Sequence, residues 1–269
     1  LGTLYGFLTE KNHTLLIDPG SAKFITEQPV KACEIDELGK HCDLIIAVGG
    51  DGTFLTAARA IAEYDIPLIG VNLGRLGFLV DISPKELINK LSRILNGNYR
   101  QENRYLLRTK IIRDGKVIHE ETAVNEVVIH RWVTPSMIEI ITTIDGVYLN
   151  TQRSDGLVIS TPTGSTAYAL SGGGPIMHPR LNALVLVPLN PHMLTNRPIV
   201  IDDSSEIEIS FCQTKQINAQ VTCDHDEIPE VRITDKIQIK KDPDPSNILH
   251  PEDHDFFHIL REKLSWSTG

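Results

Sequence analysis

A glycine turn that contains one acidic residue is the first feature of the sequence that could do chemistry. The segment AVGGDGTF, residues 47–54, follows an apolar run and precedes an amphipathic one. Backbone N–H groups at a strand end and a helix N-terminus can hold phosphate without a basic side chain. Asp51 has a use there if the bound group is a hydroxyl, because a carboxylate can accept its proton as the oxygen attacks phosphorus. The alternative is a tight turn in which Asp51 only caps the helix.

A second segment combines an acid with a loop rich in hydroxyl groups. QRSDGLVISTPTGSTAYALSGGGPIMHP, residues 152–179, contains Asp155, an apolar strand, and then small polar residues closed by three glycines at 172–174. Such loops let the backbone approach a polar ligand closely. The alternative is an irregular connection between strands. A third piece, Asn125–Glu126, starts an otherwise apolar strand, and by itself it indicates a solvent-facing edge.

The elements that must position these residues change in style near residue 97. Up to that point strand and helix patterns alternate, which predicts half of a doubly wound, Rossmann-like α/β sheet. We expect the opening strand of this sheet to be missing from the given sequence, since residues 1–10 resemble the end of a helix. The sequence also lacks an initial Met, so we expect the natural start to lie upstream. The expected strands are 14–18, 43–48 and 66–71, and the expected helices are 53–64 and 84–95.

From residue 98 the pattern changes to short strands with turn signals, which predicts an all-β, β-sandwich-like domain. Asp114–Gly115 and Asp145–Gly146 each lie between apolar or alternating runs and predict hairpins. The expected strands are 106–112, 122–130, 137–144, 156–160, 184–187, 206–211, 219–223 and 236–240.

These patterns divide the chain into three parts. Residues 1–97 form the α/β nucleotide-binding domain with the GGDG loop, and residues 98–241 form the all-β domain. Residues 242–269 follow as a C-terminal segment, whose helix over 251–266 we expect to pack back on the first domain.

Composition and charge narrow the classes of partner. The chain has 269 residues, 41% of them hydrophobic, and a formal net charge of −9, so it can bury a core. The acidic balance argues against a protein that binds nucleic acid or an anionic membrane. No apolar run is long enough to cross a bilayer. The four scattered cysteines are expected to be free thiols in a reducing cytoplasm.

Three histidines, His250, His254 and His258, recur at every fourth position, as a metal-binding helix face would place them. Pro251 puts the helix start after His250, so the three would not share one face. We therefore expect a solvated helix face there and no metal site formed by the protein alone.

Together the quoted motifs resemble the NAD kinase family, and its bacterial members in particular. GGDGT, NLGRLGFL (residues 72–79), NEVV, SDGLVISTPTGSTAY and HMLTNRPIVI (residues 192–201) occur in that family's order and spacing over nearly the whole chain. GGDG alone is shared with diacylglycerol-type lipid kinases and 6-phosphofructokinases, whereas the SDGLVISTPTGSTAY segment is highly specific. The resemblance implies that ATP, with Mg²⁺ or another divalent ion, phosphorylates the 2′-hydroxyl of the adenosine ribose of NAD to give NADP and ADP.

The resemblance also implies roles for individual residues. Asp51 would be the general base, with Gly52 beside it on the ligand and Phe78 near the adenine side. Asn125 and Glu126 would bind the adenosine portion. The other expected contacts of the dinucleotide are Arg153, Asp155 (toward the nicotinamide half), Thr166, Ala167, Tyr168, Ser171 and, as a weaker candidate, Asp226. Asp226 is weaker because this chain has Asp-His-Asp at 224–226, where the family often has Asp-Gly-Gln.

The family resemblance further implies a homotetramer or homodimer whose active sites are completed by a neighbour's β domain. Two other functions stay open on the residues alone. One is a lipid kinase that uses the same GGDG turn, although it would need an apolar slot where this chain has STPTGSTAY. The other is a non-catalytic module that senses NADP.

Overall fold

The structure, a computed structural model, describes residues 1–26, 29–132, 136–212 and 219–266. The chain forms two compact units: unit 1 comprises Leu1–Asn103 and Asp244–Gly269, and unit 2 comprises Arg104–Pro243. The boundaries predicted at residues 97 and 241 differ slightly from those of the two units. The first differs because a strand over Tyr99–Arg104 joins the sheet of unit 1. Within the described ranges, no helix has the length and apolarity needed to span a bilayer.

Short helices and many strands make up the two units. The helices are α1 (Gly2–Glu10), α2 (Pro19–Ala22), α3 (Ile35–Leu38), α4 (Asp51–Ile61), α5 (Leu87–Leu95), α6 (Tyr168–Ser171) and α7 (Phe256–Leu264). The strands are β1 (Ile45–Val48), β2 (Leu68–Val71), β3 (Tyr99–Arg104), β4 (Leu107–Arg113), β5 (Lys116–Ala123), β6 (Glu126–Arg131), β7 (Ile138–Ile144), β8 (Val147–Ser154), β9 (Gly156–Ser160), β10 (Ala183–Leu189), β11 (Ile199–Asp202), β12 (Ile207–Phe211), β13 (Ala219–Cys223), β14 (Asp226–Ile228), β15 (Lys236–Lys241) and β16 (Ser246–Pro251).

Unit 1 is built on a four-stranded sheet in the order β1-β2-β16-β3. β2 runs parallel to both β1 and β16, and each of its four residues is buried, as expected for a parallel strand covered on both faces. Leu4 of α1 and Leu91 of α5 share one hydrophobic cluster with Ile69 of β2. α4 begins directly after β1, so the glycine turn lies at the carboxyl end of that strand.

Unit 2 is a sandwich of two six-stranded sheets, in the orders β11-β10-β9-β6-β13-β14 and β5-β4-β15-β12-β7-β8. Buried and half-buried residues alternate along β7 and β12, so one face of that sheet is directed into the core. Ile129 and Ile159 of the first sheet join Ile111 and Ile209 of the second in one hydrophobic cluster. The predicted fold class, an α/β domain followed by a β-sandwich-like domain and a C-terminal helix, is confirmed.

Both predicted Asp-Gly hairpins form. Asp114 and Gly115 have φ values of 50° and 76°, and Asp145 and Gly146 have 51° and 76°. These left-handed conformations match the right-handed twist of paired strands, which is why Asp-Gly favours two-residue hairpins.

Three predicted elements differ from the structure. Residues 14–18 form no strand, only an isolated bridge between Ile17 and Ala32. The strand predicted over 122–130 is two strands, β5 and β6. The terminal helix begins at Phe256, since Pro251 ends β16 and the side chain of Asp255 caps the helix. The strands that the sequence did not predict are β3, β8, β11, β14 and β16.

Candidate active site

The glycine turn of unit 1 fixes Asp51 through backbone amides. Gly50 is the N-cap of α4, Asp51 is the first helical residue, and no side chain caps this end. The Asp51 carboxylate instead accepts hydrogen bonds from the backbone N–H groups of Phe78 (3.0 Å) and Leu79 (2.9 Å). The interpretation of Asp51 as a helix cap is therefore wrong: its carboxylate connects the turn to the segment over residues 72–79.

Two glycines permit this close packing. A Cβ at position 77 would lie 2.3 Å from Asp51 Oδ1, and one at position 49 would lie 2.4 Å from Thr53 Oγ1. Both distances are far below a normal contact, so a Cβ at either position would force the neighbouring side chain, Asp51 or Thr53, to move. At the other end of the same segment, the side chain of Asn72 accepts a hydrogen bond from the Gly74 N–H at 2.8 Å.

The structure brings Asp51, Gly52 and Phe78 together in unit 1, and their roles toward a ligand stay predictions. Lys263 of α7 joins them: its Nζ lies 5.3 Å from the centre of the Phe78 ring and donates a hydrogen bond to the Leu76 carbonyl at 3.1 Å. Sequence reasoning missed Lys263, because it lies far along the chain from the glycine turn and no local pattern marks it.

Unit 2 contains a pocket of about 720 Å³ against one face of its first sheet, where the alternate residues Glu126, Val128 and His130 of β6 line it. The predicted site residues that line it are Asn125, Glu126, Asp155, Ala167, Tyr168 and Ser171. The lining residues that the sequence did not single out are Val128, His130, Arg131, Gly172, Leu189, Asn190, Thr222, Asp224 and His225. The pocket thus gathers groups from the segments that carry NEVV, the hydroxyl loop and the Asp-His-Asp turn.

Three predicted residues of unit 2 do not line this pocket. Arg153 is exposed in β8, and its carbonyl accepts a hydrogen bond from the His192 N–H. The Thr166 hydroxyl donates to the Thr163 carbonyl at 3.3 Å. Asp226 begins β14 at an exposed position, and Asp224 of the same turn faces the pocket instead.

Glu126 is buried rather than at a solvent-facing edge, with 6% of its surface exposed. Burial raises the pKa of its carboxyl group from 4.5 to about 8; the negative charge of Asp224 adds to the shift, and a hydrogen bond from the Tyr168 backbone N–H opposes it. Its Oε2 atom has no hydrogen-bond partner among the described residues. At neutral pH Glu126 is therefore mainly a neutral acid that can donate a hydrogen bond to a ligand.

Asp224 positions the segment that presents Glu126. Its carboxylate accepts hydrogen bonds from the backbone N–H groups of three consecutive residues, Val124 at 2.9 Å, Asn125 at 2.8 Å and Glu126 at 3.2 Å. The N–H groups of Val124 and Asn125 are thus unavailable to a neighbouring strand, which explains the break between β5, which ends at Ala123, and β6, which begins at Glu126.

Asp155 is held at the pocket by two side chains. Its Oδ1 forms an ion pair with Arg131 Nε at 2.9 Å, and its Oδ2 accepts a hydrogen bond from Asn190 Nδ2 at 2.9 Å. The charge of Arg131 offsets that of Asp155, so this wall of the pocket presents a fixed polar surface with little net charge.

The hydroxyl-rich loop uses its hydroxyls internally. The Thr161 hydroxyl donates to the Val124 carbonyl at 2.7 Å, and the Ser165 hydroxyl donates to the Pro162 carbonyl at 2.6 Å while accepting from the Met177 N–H at 2.9 Å. Gly164 lies so close to Asn125 that a Cβ there would be 2.3 Å from the Asn125 oxygen. The loop therefore supports the pocket floor, and the pocket surface is left to Ala167, Tyr168 and Ser171.

The C-terminal histidines are not a solvated helix face. His250 is buried in β16, His254 lies in the turn before α7, and only His258 is exposed on the helix. Both His250 and His254 contact the carboxylate of Asp81. Burial raises the pKa of Asp81, but hydrogen bonds from the two imidazoles lower it further, so the pKa lies below its ordinary value.

The chain is similar to proteins of one family along most of its length. A family model for the ATP-NAD kinase N-terminal domain matches residues 18–99, and one for the ATP-NAD kinase C-terminal domain matches residues 124–250. A protein named NAD kinase from Methylococcus capsulatus is 51% identical over 268 residues, which cover 100% of this chain and 92% of that protein.

Two solved structures share the fold. Yeast NADH kinase complexed with NADH matches with a TM-score of 0.88 and 23% identity, over 99% of this chain and 84% of that one. An NAD kinase from Archaeoglobus fulgidus in complex with ATP matches with a TM-score of 0.75 and 24% identity, over 98% and 93% of the two chains. At these identities the structures show the fold alone, whereas the two family models and the bacterial relative show that this chain belongs to the NAD kinase family.

Proposed function

We propose that this chain transfers the γ-phosphoryl group of ATP to the 2′-hydroxyl of the adenosine ribose of NAD, giving NADP and ADP. Family membership and the 51% identity to a bacterial protein named NAD kinase support the reaction. The observation that carries the mechanism is the Asp51 carboxylate, held by two backbone amides in a glycine turn at the end of β1.

Asp51 acts as the general base in this proposal. Its carboxylate accepts the proton of the 2′-hydroxyl while that oxygen attacks the γ-phosphorus and the bond to the ADP oxygen breaks. The amides of Phe78 and Leu79 keep the carboxylate in one orientation. Less conformational entropy is therefore lost when the transition state forms. Mg²⁺ or another divalent ion that enters with ATP supplies neutralisation of the phosphate charge.

The pocket of unit 2 binds the dinucleotide in this proposal. Asn125 and the neutral Glu126 carboxyl offer both hydrogen-bond donors and acceptors to the adenosine portion, and Tyr168 offers a ring beside them. Asp155 contacts the nicotinamide half. Arg153, Thr166 and Asp226 stay predictions from the family resemblance, without support from the lining of the pocket.

A direct assay tests the reaction. The protein is incubated with ATP, Mg²⁺ and either NAD, an NAD analogue that lacks the 2′-hydroxyl on its adenosine ribose, or diacylglycerol. We expect NADP from NAD, binding without phosphorylation of the deoxy analogue, and no reaction with the lipid. Phosphorylation of the lipid with NAD unchanged would contradict the proposal, and binding of NADP without any turnover of NAD would instead favour a sensing module.

We further infer a cytoplasmic homodimer or homotetramer. Several apolar side chains are exposed on this chain, among them Val147 and Tyr148 of β8 and Leu194, which are 70%, 62% and 84% exposed. Burying such groups against a second copy is favourable. Light scattering after size exclusion measures the assembly, and a monomer at micromolar concentration would contradict it.

A further inference from the structure

Unit 1 contains two imidazoles and a carboxylate that the proposed reaction does not use. Asp81 follows the segment that holds Asp51, His250 lies in β16, and His254 lies in the turn before α7. One possible ligand atom from each of the three lies within 4.8 Å of the others. We propose that Asp81, His250 and His254 bind one divalent transition-metal ion of the Zn²⁺ type.

Both imidazoles face the same carboxylate oxygen. His254 Nδ1 lies 2.6 Å from Asp81 Oδ2, and His250 Nδ1 lies 3.2 Å from it. The two rings stack with centroids 3.8 Å apart and planes inclined by 25°, so their Nδ1 atoms converge on one place. Two ligands of a tetrahedral ion with bonds of about 2.0–2.2 Å lie roughly 3.3 Å apart, so a small expansion of this cluster accommodates the ion.

A second carboxylate lies behind His250. Glu102 Oε2 is 3.5 Å from His250 Nε2. When a metal ion takes one nitrogen of an imidazole, the other N–H usually donates to a carboxylate or carbonyl, which fixes the tautomer. Glu102 is placed for that role if His250 binds the ion through Nδ1.

The ligands are already held in position by backbone contacts. His254 donates its N–H to the Pro251 carbonyl at 3.0 Å, and its own carbonyl accepts a hydrogen bond from Arg100 at 2.9 Å. His250 belongs to a strand that pairs with β2, and Ile82, next to Asp81, bridges to Val71 of β2. Asp81 and His250 are therefore next to or within segments that pair with β2, and His254 is held by β3 and the end of β16, which lowers the ordering cost of binding an ion.

The ligand chemistry selects the class of metal. Two imidazole nitrogens and one carboxylate suit Zn²⁺ and its neighbours, whereas Mg²⁺ and Ca²⁺ prefer oxygen ligands alone. The proposed ion is thus distinct from the Mg²⁺ that accompanies ATP. Because Asp81 follows Leu79, whose N–H group contacts Asp51, a bound ion would connect the C-terminal segment to the segment that orients Asp51.

Metal titration of the full chain tests the site. Protein treated with EDTA and freed of it is titrated with Zn²⁺ in competition with a chromophoric chelator, and with Co²⁺ to record visible absorption. His254→Gln removes one ligand, and His258→Gln is the matched control, since it changes an exposed histidine of α7. We expect one Zn²⁺ per wild-type chain and an absorption typical of tetrahedral Co²⁺.

The variants decide the outcome. Loss of an outer partner of a metal ligand weakens binding by about 10–100-fold, so His254→Gln should lose at least about tenfold in Zn²⁺ affinity while His258→Gln matches the wild type. Equal Zn²⁺ affinity in all three proteins would overturn the proposal. So would an increase in the melting temperature of the wild type by Mg²⁺, without nucleotide, as large as the increase by Zn²⁺.

Melting curves give a second measure of metal binding that does not depend on catalysis. They also show whether each variant is folded. Zn²⁺ should raise the melting temperature of the wild type and of His258→Gln, because a ligand that binds the folded state stabilises it, and should leave His254→Gln unchanged. If metal-free His254→Gln does not melt cooperatively, Asp81→Asn replaces it in the same series. None of these measurements uses phosphoryl transfer, so failure of the metal site and failure of the proposed reaction are distinguishable.

Discussion

The glycine turn of unit 1 and the pocket of unit 2 each hold a carboxyl group beside a bent backbone, but in opposite environments. Both oxygens of Asp51 accept backbone hydrogen bonds in a partly exposed turn. Glu126 is buried, one of its oxygens has no hydrogen-bond partner in the described part of the chain, and its pKa rises to about 8. The first arrangement fixes the orientation of a carboxylate through backbone amides, whereas the second suits a group that must keep its proton.

The contrast gives a physical basis for the different roles that the family resemblance implies for these two acids. Asp51 matters for the rate of the reaction, and Glu126 matters for how a ligand is recognised. Each of the following substitutions is expected to affect either the glycine turn of unit 1 or the pocket of unit 2, and to leave the other region unchanged.

The largest effect is expected from Asp51→Asn. Asparagine keeps the size of the side chain but cannot accept the proton, and loss of a general base costs on the order of 10²–10⁴ in rate. One of the two backbone bonds is lost as well, which costs about 1–3 kcal/mol of stability, too little to unfold the domain. The measurement is kcat together with a melting curve and an NAD titration on the same preparation. Turnover like that of the wild type would remove the catalytic role of Asp51.

Gly77→Ala should disturb the same carboxylate without changing its chemistry. The added Cβ would meet Asp51 Oδ1 at 2.3 Å and displace it, and a misplacement of about 1 Å can cost about 100-fold in rate. Gly6→Ala is the control, because a Cβ there meets nothing within 4 Å. We expect a lower kcat with NAD affinity retained. An unchanged kcat would show that the orientation set by residues 77–79 does not matter.

Asp155→Ala should act on binding. The change removes the ion pair with Arg131 and the hydrogen bond from Asn190 that fix the pocket wall. It also removes the proposed contact of Asp155 with the nicotinamide half, which the ground state and the transition state would share. The KM for NAD should therefore rise, with a smaller loss of kcat. Asp226→Ala, outside the pocket lining, should raise KM less. A collapse of kcat at constant KM would mean that Asp155 takes part in the chemical step.

Glu126→Gln should give the smallest effect, and it concerns pH. The carboxyl group of Glu126 holds its proton up to about pH 8 in the folded chain, against 4.5 ordinarily. Between these values the folded state binds more protons than the unfolded state, so the free energy of unfolding falls as the pH rises. Glutamine does not titrate, so the melting temperature of the variant should fall less across this window.

The control for that experiment is Glu227→Gln, at an exposed position of β14. It should melt with the same pH dependence as the wild type. If Glu126→Gln also followed the wild type at every pH, Glu126 would be ionised in the folded chain, and the contrast with Asp51 would disappear.

Local rules predicted the parts of the fold that depend on neighbouring residues. The Asp-Gly hairpins follow from backbone conformation alone, and the turn around Asp51 follows from a buried strand, glycines and a helix pattern. The break between β5 and β6 could not be predicted in this way, because its cause, Asp224, lies about a hundred residues further along the chain. The strand β16 was missed for a similar reason: the strands that it lies between, β2 and β3, precede nearly the whole of unit 2 in the sequence.

The functional site shows the same division between features that neighbouring residues determine and features that depend on residues far along the chain. The sequence identified Asp51, and the pocket residues Asn125, Glu126 and Asp155 from motifs. It did not identify the groups that orient them, such as Arg131, because an ion pair across two strands leaves no trace in either local pattern. The histidine spacing was interpreted only in part: the helix does begin after His250, but the expected solvated face is wrong, because His250 is buried in β16.

The position of β16 has a consequence for how the protein is made. β16 lies between β2 and β3 in the sheet of unit 1, yet it is synthesised after the whole of unit 2. A chain still growing on the ribosome can complete the continuous unit 2 first, but it cannot close the sheet of unit 1 until Ser246–Pro251 has emerged. We expect a released chain that ends at Pro243 to protect unit 2 from proteases and to leave residues 1–103 open to cleavage. The segment with the glycine turn is thus translated early and acquires its final structure last.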